Sequence, residues 1–404
     1  MTDLVVYDAA ELVVGKAEDA PLERYENAAI AVENGKVVAV GPTDEVIREY
    51  PPENATEAID ATGRTVLPGF VDPHTHGLFA GDRSDEFEAK LRGKTYQEIL
   101  AAGGGILKSV RSVREASDET LVTNLLGHLD RMLAHGTTTV EVKSGYGLDT
   151  ETELRMLDAI AEADDQHPIE VVPTFMGAHA VPQGMDADEY TQEVIDEQLP
   201  AVEAQGIAEF NDVFCEEGVF SVEQSRRILE AGEAHGLTPK VHAEELAHIG
   251  GTQLAAEIGA TSADHLLHST EEDIAALVDA GVVPVLLPGT AFGLGAEFAD
   301  AEMMLDQGAP VAIATDFNPN CHSHSMGFAQ SLACVEMRMT PAQALVAATD
   351  HAALALDRPD LGRLDVGAPA DLVVVDAPNH VHVPYQYGTN LVETVVKHGE
   401  RVYG

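Results

Sequence analysis

Basic residues are scarce in this chain. Of 404 residues, 23 are Lys or Arg and 69 are Asp or Glu, for a formal net charge of -46, and lysines number only 8. A chain-wide cationic surface is excluded, so neither nucleic acid nor an anionic membrane is an expected partner. Cysteine is equally rare. Cys215, Cys321 and Cys334 cannot build a disulfide framework, and a reducing, cytoplasmic compartment fits better. The chain has no uninterrupted apolar run of about 18 residues to cross a bilayer. No charged-then-apolar signal opens it. Apolar residues still make up 45%, enough for a full core in two or three domains, or in one large barrel with an appendage. The acids recur along the whole chain, as in Asp186 to Glu197. Charge spread this way reads as a solvated surface rather than a patch for a basic partner. It suits molar salt, where repulsion is screened within about 3 Å.

Hydrophobic patterning divides the chain. The first 65 residues read as short strands, including Leu4 to Tyr7 and Glu11 to Val14. Ala28 to Val32 and Val37 to Val40 flank Asn34-Gly35, a hairpin turn signal. The other end is strand-like at Asp371 to Asp376, Val392 to Val396 and Arg401 to Tyr403, so the two ends can share one small sheet. Between them lie eight apolar runs: Val66 to Val71, Thr137 to Val142, Glu170 to Thr174, Glu209 to Phe214, Pro239 to Val241, Ala260 to Asp264, Val282 to Leu287 and Pro310 to Ala314. Helically spaced stretches separate several of them, among them Thr120 to Ala134, Glu151 to Ala163 and Ser221 to His235. Continuous apolar runs alternating with helices predict buried parallel strands. Eight such units predict an α/β fold of the (β/α)8 type. An open doubly wound sheet is the alternative.

In such a barrel, active sites form just after the strands. The first run leads into Asp72-Pro73-His74-Thr75-His76. Alternate residues of extended chain point one way, so His74 and His76 can face one ion. The fifth run is followed by His242, the sixth by His265 and the eighth by Asp316. Singly, these read as core histidines and a helix cap. Together they converge on one rim, and imidazoles plus a carboxylate suit zinc or iron, not magnesium.

These residues resemble the metal-dependent amidohydrolase superfamily. Gly362-Arg363-Leu364 to Gly367 and Ala370-Asp371-Leu372-Val373-Val374 look like its returning β-domain. The resemblance implies a TIM-like barrel over 66–359 and a small β-sandwich domain built from 1–65 plus 360–404. Longer segments, Lys143-Ser144-Gly145-Tyr146-Gly147-Leu148 and Thr174-Phe175-Met176-Gly177-Ala178-His179, are similar to a narrower family, the hydrolases that open the imidazolone ring in histidine degradation. The implied reaction converts 4-imidazolone-5-propanoate to N-formimidoyl-L-glutamate. The implied cofactor is one Zn2+ or Fe2+/Fe3+ per chain on His74, His76, His242 and Asp316. Binuclear members of the superfamily carry a bridging lysine after strand four, where this chain has Phe214-Cys215-Glu216.

The same resemblance assigns roles. Glu245, three residues after His242, is the expected proton carrier. His265 is placed to steady the carbonyl oxygen, and Asp316 combines ligation with a share of proton transfer. Arg83 matches the position that grips the substrate's carboxylate tail. Tyr146, His179 and Asn318 match further substrate contacts. The chain departs from the family at Asn320 and Cys321, where Gly and then Ser or Thr are usual, so a hydroxyl contact becomes a weaker thiol donor. Cys321 as a nucleophile is a rival reading, and metal-activated water removes the need for it. The partner is thus a small molecule with a carboxylate tail, and a homodimer is the assembly left open. A nucleobase or hydantoin hydrolase is the nearest alternative, and it has no need of Arg83. A non-catalytic metal-binding scaffold would be expected to have lost Glu245 or a ligand.

Overall fold

Asn34 and Gly35 both have positive φ, 52° and 73°, and make the tight turn expected of them. The structure, a computed structural model, describes residues 2–17, 21–94, 98–99 and 103–404. In chain order, five strands come first: β1 (Leu4–Gly15), β2 (Glu23–Glu33), β3 (Lys36–Pro42), β4 (Glu57–Asp60) and β5 (Thr65–Pro68). Eight follow: β6 (Phe70–Asp72), β7 (Thr137–Lys143), β8 (Glu170–Ala178), β9 (Phe210–Cys215), β10 (Thr238–Ala243), β11 (Ser262–His265), β12 (Val283–Leu286) and β13 (Ala312–Ile313). The last three are β14 (Leu372–Val375), β15 (Val392–Lys397) and β16 (Glu400–Tyr403).

Strands from both chain ends share one sheet, in the order β16-β15-β14-β5-β1-β2-β3, with β4 also pairing β1. The two faces expected of a sandwich belong to this single sheet, which curls over. Val37 N donates to Ala368 O and Ala370 N to Gly35 O, tying the start of β3 to the segment before β14. Leu4, Val6, Ile30, Val66, Leu372 and Val396 fill the space inside the curl. The early helical turn Thr43–Glu49, which the strand pattern did not suggest, packs Val46 against Val5, Ala29 and Ala31 on the other face.

The eight central strands pair in sequence order from β6 to β13 and are parallel throughout. Helices alternate with them, among them Asp118–Ala134, Thr150–Gln166, Val222–Ala234 and Glu271–Ala280. Side chains of Ser117, Asp149, Ser221 and Thr270 cap their N-termini, satisfying amides that have no partner inside the helix. The barrel's closing seam lies beyond the ends of β6 and β13. Asp316 N donates to His74 O at 3.1 Å and His76 N to Phe317 O at 2.9 Å. Thr315 Oγ1 donates to Asp72 Oδ2 at 2.5 Å across the same seam.

One apolar run is not what it looked like. Val66 to Val71 reads as the first barrel strand, but it is two strands in two sheets, β5 in the curled sheet and β6 in the barrel. Gly69 is the crossing point. A Cβ there would land on the Thr138 side chain, and Gly69 N donates to Asp371 O while Phe70 N donates to Gly136 O. A continuous apolar run cannot signal such a change of partner, since both sheets bury it. Among the described residues, no helix is long and apolar enough to cross a membrane.

Candidate active site

The barrel rim gathers the predicted ligands. His74 and His76 leave β6, His242 sits near the end of β10, His265 ends β11, and Asp316 follows β13. All five are buried. Asp316 and His265 have positive φ, 47° and 80°, conformations that cost non-glycine residues of order 1–3 kcal/mol and concentrate at functional sites.

Four atoms converge. His242 Nε2 lies 3.3 Å from His76 Nε2, and Asp316 Oδ1 lies 3.6 Å from His74 Nε2 and 3.8 Å from His76 Nε2. A tetrahedral ion with bonds near 2.0–2.1 Å spaces its ligand atoms roughly 3.4 Å apart. His74 Nε2 is buried with no hydrogen-bond partner among the described residues, an arrangement that a cation would complete. His74, His76 and His242 form one group able to hold a metal ion, and His74, His265 and Asp316 form another. The far nitrogens are backed by acids: His74 Nδ1 meets Asp264 Oδ2 at 2.6 Å and His242 Nδ1 meets Asp212 Oδ2 at 3.0 Å. A carboxylate there keeps the proton on Nδ1 and leaves the Nε2 lone pair free for a metal. Burial disfavours a charged His242, yet the Asp212 carboxylate outweighs it and raises the ring's proton affinity. Burial holds His74 and His76 well below the ordinary range, hence neutral.

Beneath the ligands lies a buried charged layer. Lys143 Nζ contacts Glu141 Oε2 at 2.6 Å and Asp212 Oδ2 at 2.8 Å, and Lys240 Nζ contacts Glu141 Oε1 at 2.9 Å. Lys143 is thus a buried structural cation. Sequence reading missed Asp212 and Asp264 as supports for His242 and His74. A signal was present: charged residues inside strands that a parallel barrel buries on both faces.

Glu244 and Glu245 separate cleanly. Glu244 turns inward, with φ 51°. It accepts from the amides of Ile249, Gly250, Gly251 and Thr252 at 2.6–3.1 Å, at the start of the helix Gly251–Glu257. Glu245 faces the cleft, its Oε2 3.9 Å from His265 Nε2. Burial first, then the Asp316 charge, pushes its carboxyl up to about 8.

The cleft has a volume of about 580 Å³, within the range of small-molecule sites. Arg83, Tyr146, His179, Asn318 and Asn320 line it with His76, His242, His265, Asp316 and Glu245. Arg83 Nε is paired to Glu86 at 2.8 Å. Tyr146 rides on a loop fixed by Glu153, whose carboxylate accepts from Gly145, Gly147 and Leu148 N at 2.7–2.8 Å. Gly145 has φ 103°, and a Cβ on it would crowd Met176 O and His179 Nδ1. His179 stacks on His76, ring centroids 4.6 Å apart, and burial pushes it down to about 3. Thr290 Oγ1 donates to Asp316 Oδ2 at 2.5 Å, and Asn318 Nδ2 donates to Asp316 Oδ1 at 3.0 Å.

Cys321 is not among the cleft-lining residues. Its thiol points inward to Thr315 O at 3.6 Å, and its amide donates to Asn318 Oδ1 at 3.0 Å. Burial, then Asp316, pushes the thiol up to about 12, which argues against a nucleophile.

The amidohydrolase family profile matches residues 65–402, and an imidazolonepropionase-like composite domain, bacterial type, matches 28–52. Imidazolonepropionase of Haloarcula marismortui is 73% identical over 99% of this chain and 96% of its own length. The Halobacterium salinarum enzyme of that name is 63% identical over 100% and 98%, and that of Geobacillus kaustophilus 51% over 98% and 94%. Among solved structures, an adenosine deaminase from Xanthomonas campestris with bound zinc superposes with a TM-score of 0.76 at 20% identity, covering 99% of this chain and 93% of that one. A triazine hydrolase variant does so with a TM-score of 0.76 at 18% identity, covering 99% and 94%. These two likenesses are of fold.

Proposed function

The chain belongs to the imidazolonepropionases, within the metal-dependent amidohydrolase family, and we propose how its side chains divide the work of that reaction. Water is added across the cyclic amide of 4-imidazolone-5-propanoate. The bond from carbonyl carbon to ring nitrogen breaks, the carbon takes the hydroxyl, the nitrogen takes a proton, and N-formimidoyl-L-glutamate leaves. The observation that carries this reading is the gathering of His74, His76 and His242 within reach of one ion, with Asp316 Oδ1 close to His74 and His76 and Glu245 on the same cleft as His76, His242 and Asp316.

His74, His76, His242 and Asp316 would hold one metal ion, and three nitrogens with one carboxylate favour zinc or iron. Such an ion supplies Lewis acidity and makes water a competent nucleophile at neutral pH. Glu245 takes the water's proton on its carboxylate and returns it to the ring nitrogen. A carboxyl whose proton affinity is raised toward neutrality suits both halves of that transfer. His265 Nε2 lies near Glu245 and donates to the carbonyl oxygen as charge develops on it. Asp316 assists the proton transfer while Thr290 fixes its second oxygen. Tyr146 and His179 orient the ring, and Asn318 and Asn320 line the same cleft. With Nε on Glu86, Arg83 has the rest of its fork to offer the tail carboxylate. Cys321 supports the wall through its backbone.

We read the curled sheet, 1–68 with 360–404, and the barrel, 70–359, as two domains that meet at Gly69, past the boundary expected at 65, because β5 lies in the curled sheet. The acidic surface and the haloarchaeal relatives support work in a salt-rich cytoplasm. The direct test is incubation of the purified protein with 4-imidazolone-5-propanoate in molar potassium chloride, with and without chelator. Chelator-sensitive formation of N-formimidoyl-L-glutamate, followed by mass spectrometry, is expected. Absence of that product from metal-loaded protein would overturn the reading.

A further inference from the structure

Lysine is the rarest charged residue here, with 8 in the chain, and two of them, Lys90 and the exposed Lys94, line the cleft. Lys90 lines the same cleft as Arg83 and Glu245 and is half-buried. Its Nζ donates at 2.8 Å to Asn320 Oδ1, a neutral amide oxygen. The charges acting on it most are those of Arg83 and Glu86, and Glu86 is already paired to Arg83. Arg83 immediately precedes the helix Ser84–Leu91, where Glu86 and Lys90 stand four residues apart on one face. Arg83 and Lys90 therefore stand together on this wall with one carboxylate, Glu86, between them. Burial, then the like charge of Arg83, holds the Lys90 ammonium below its usual range. An anion in the cleft would relieve that repulsion.

Resting on the reaction proposed above, we infer that Lys90 is a second cationic contact for the substrate's carboxylate tail, aimed by Asn320. The loop after β13 supplies the aim. Asn320 N donates to Asn318 Oδ1 at 2.7 Å, and Asn318 Nδ2 donates to Asp316 Oδ1. The tail subsite is thereby tied to a candidate metal ligand through one short loop. Asn320 stands where glycine was expected, and the side chain that glycine would lack is the one holding Lys90. The subsite selects ring ligands with an anionic tail over those with a neutral tail of the same length.

The test uses two probes that lack the scissile amide, imidazole-4-propanoate and its primary amide, bound to the metal-loaded full chain and followed by calorimetry. Lys90→Met should raise Kd for the carboxylate about tenfold, the lower range for a charge-assisted hydrogen bond, and leave the amide's Kd within about twofold. Lys90→Arg should keep the preference. Asn320→Gly should erode it in the same direction as Lys90→Met. Metal content and circular dichroism confirm that each variant is folded. Equal weakening of both probes by Lys90→Met would make Lys90 a latch for the helix that follows Arg83, and no weakening of either would remove it from the subsite. Both results overturn the inference. Wild-type protein that prefers the carboxylate probe but never hydrolyses 4-imidazolone-5-propanoate would sink the proposed reaction and leave the anion subsite standing.

Discussion

In the curled sheet, apolar side chains alternate inward and most charge stays outside, with Glu11 and Lys397 as buried exceptions, Glu11 bridged to Arg24 and His380 and Lys397 to Asp371. At the barrel rim the order reverses. Glu141, Lys143, Asp212, Lys240 and Asp264 are fully buried, and Glu244, His265 and Asp316 hold left-handed backbone. Unpaired buried charge costs several kcal/mol, so the rim is stable only as a network in which each acid has a cation, an imidazole or an amide to face. The sheet does the opposite work. Fully burying an aliphatic side chain there contributes roughly 1.5–3 kcal/mol and asks nothing of its chemistry. One region supplies stability, and the other uses some of it to keep donors aimed at a point.

If that contrast is right, substitutions at the rim should change chemistry far more than folding, and substitutions in the sheet the reverse. The largest effect on activity is expected for His74→Ala or His242→Ala. Each should lose metal and turnover together while the circular dichroism stays native, because the donor set falls to three. Metal analysis on the same sample as the assay checks it. Next comes Glu245→Gln, which should keep the metal but lower kcat by roughly 10² or more, the scale of general acid–base catalysis. Near-normal turnover would move the proton to Asp316 or His265. Arg83→Met follows, with kcat/KM down about ten- to a hundredfold, matching roughly 1.5–3 kcal/mol for one charge-assisted contact. Unchanged kcat/KM would take Arg83 out of the tail subsite. The smallest effect on activity belongs to the sheet. Ile30, fully buried inside the curl, should lose about 2–5 kcal/mol of stability on truncation to Ala, with kcat per folded molecule unchanged. Denaturant melts beside active-site titration separate the two.

The same contrast explains how far the sequence could be read. Period-two and continuous apolar runs report burial, so most strands of the sheet and barrel were legible, as was the Asn34-Gly35 turn, whereas Glu57–Asp60 carries no such run and the two runs within Leu4 to Val14 are one strand. His74, His76, His242, His265 and Asp316 were legible because strand ends are where a barrel puts its chemistry. The change of sheet at Gly69 was not, because both partners of that run are apolar. Nor were the contacts of Asp212 and Asp264 with His242 and His74, which depend on the register between neighbouring strands. The inward turn of the Cys321 thiol depends on the backbone of one loop, which residue type does not report. Lys90 meets Asn320 across 230 residues of chain, a contact only the closed barrel creates.

In the proposed reaction one metal, held by His74, His76, His242 and Asp316, drives ring opening. Its most direct test is a metal titration of chelator-stripped protein, recording turnover of 4-imidazolone-5-propanoate against zinc or ferrous ion added anaerobically. Turnover is expected to rise linearly and break at one equivalent per chain, and not to rise in His242→Ala. A break at two equivalents, or full turnover in the stripped protein, would contradict it.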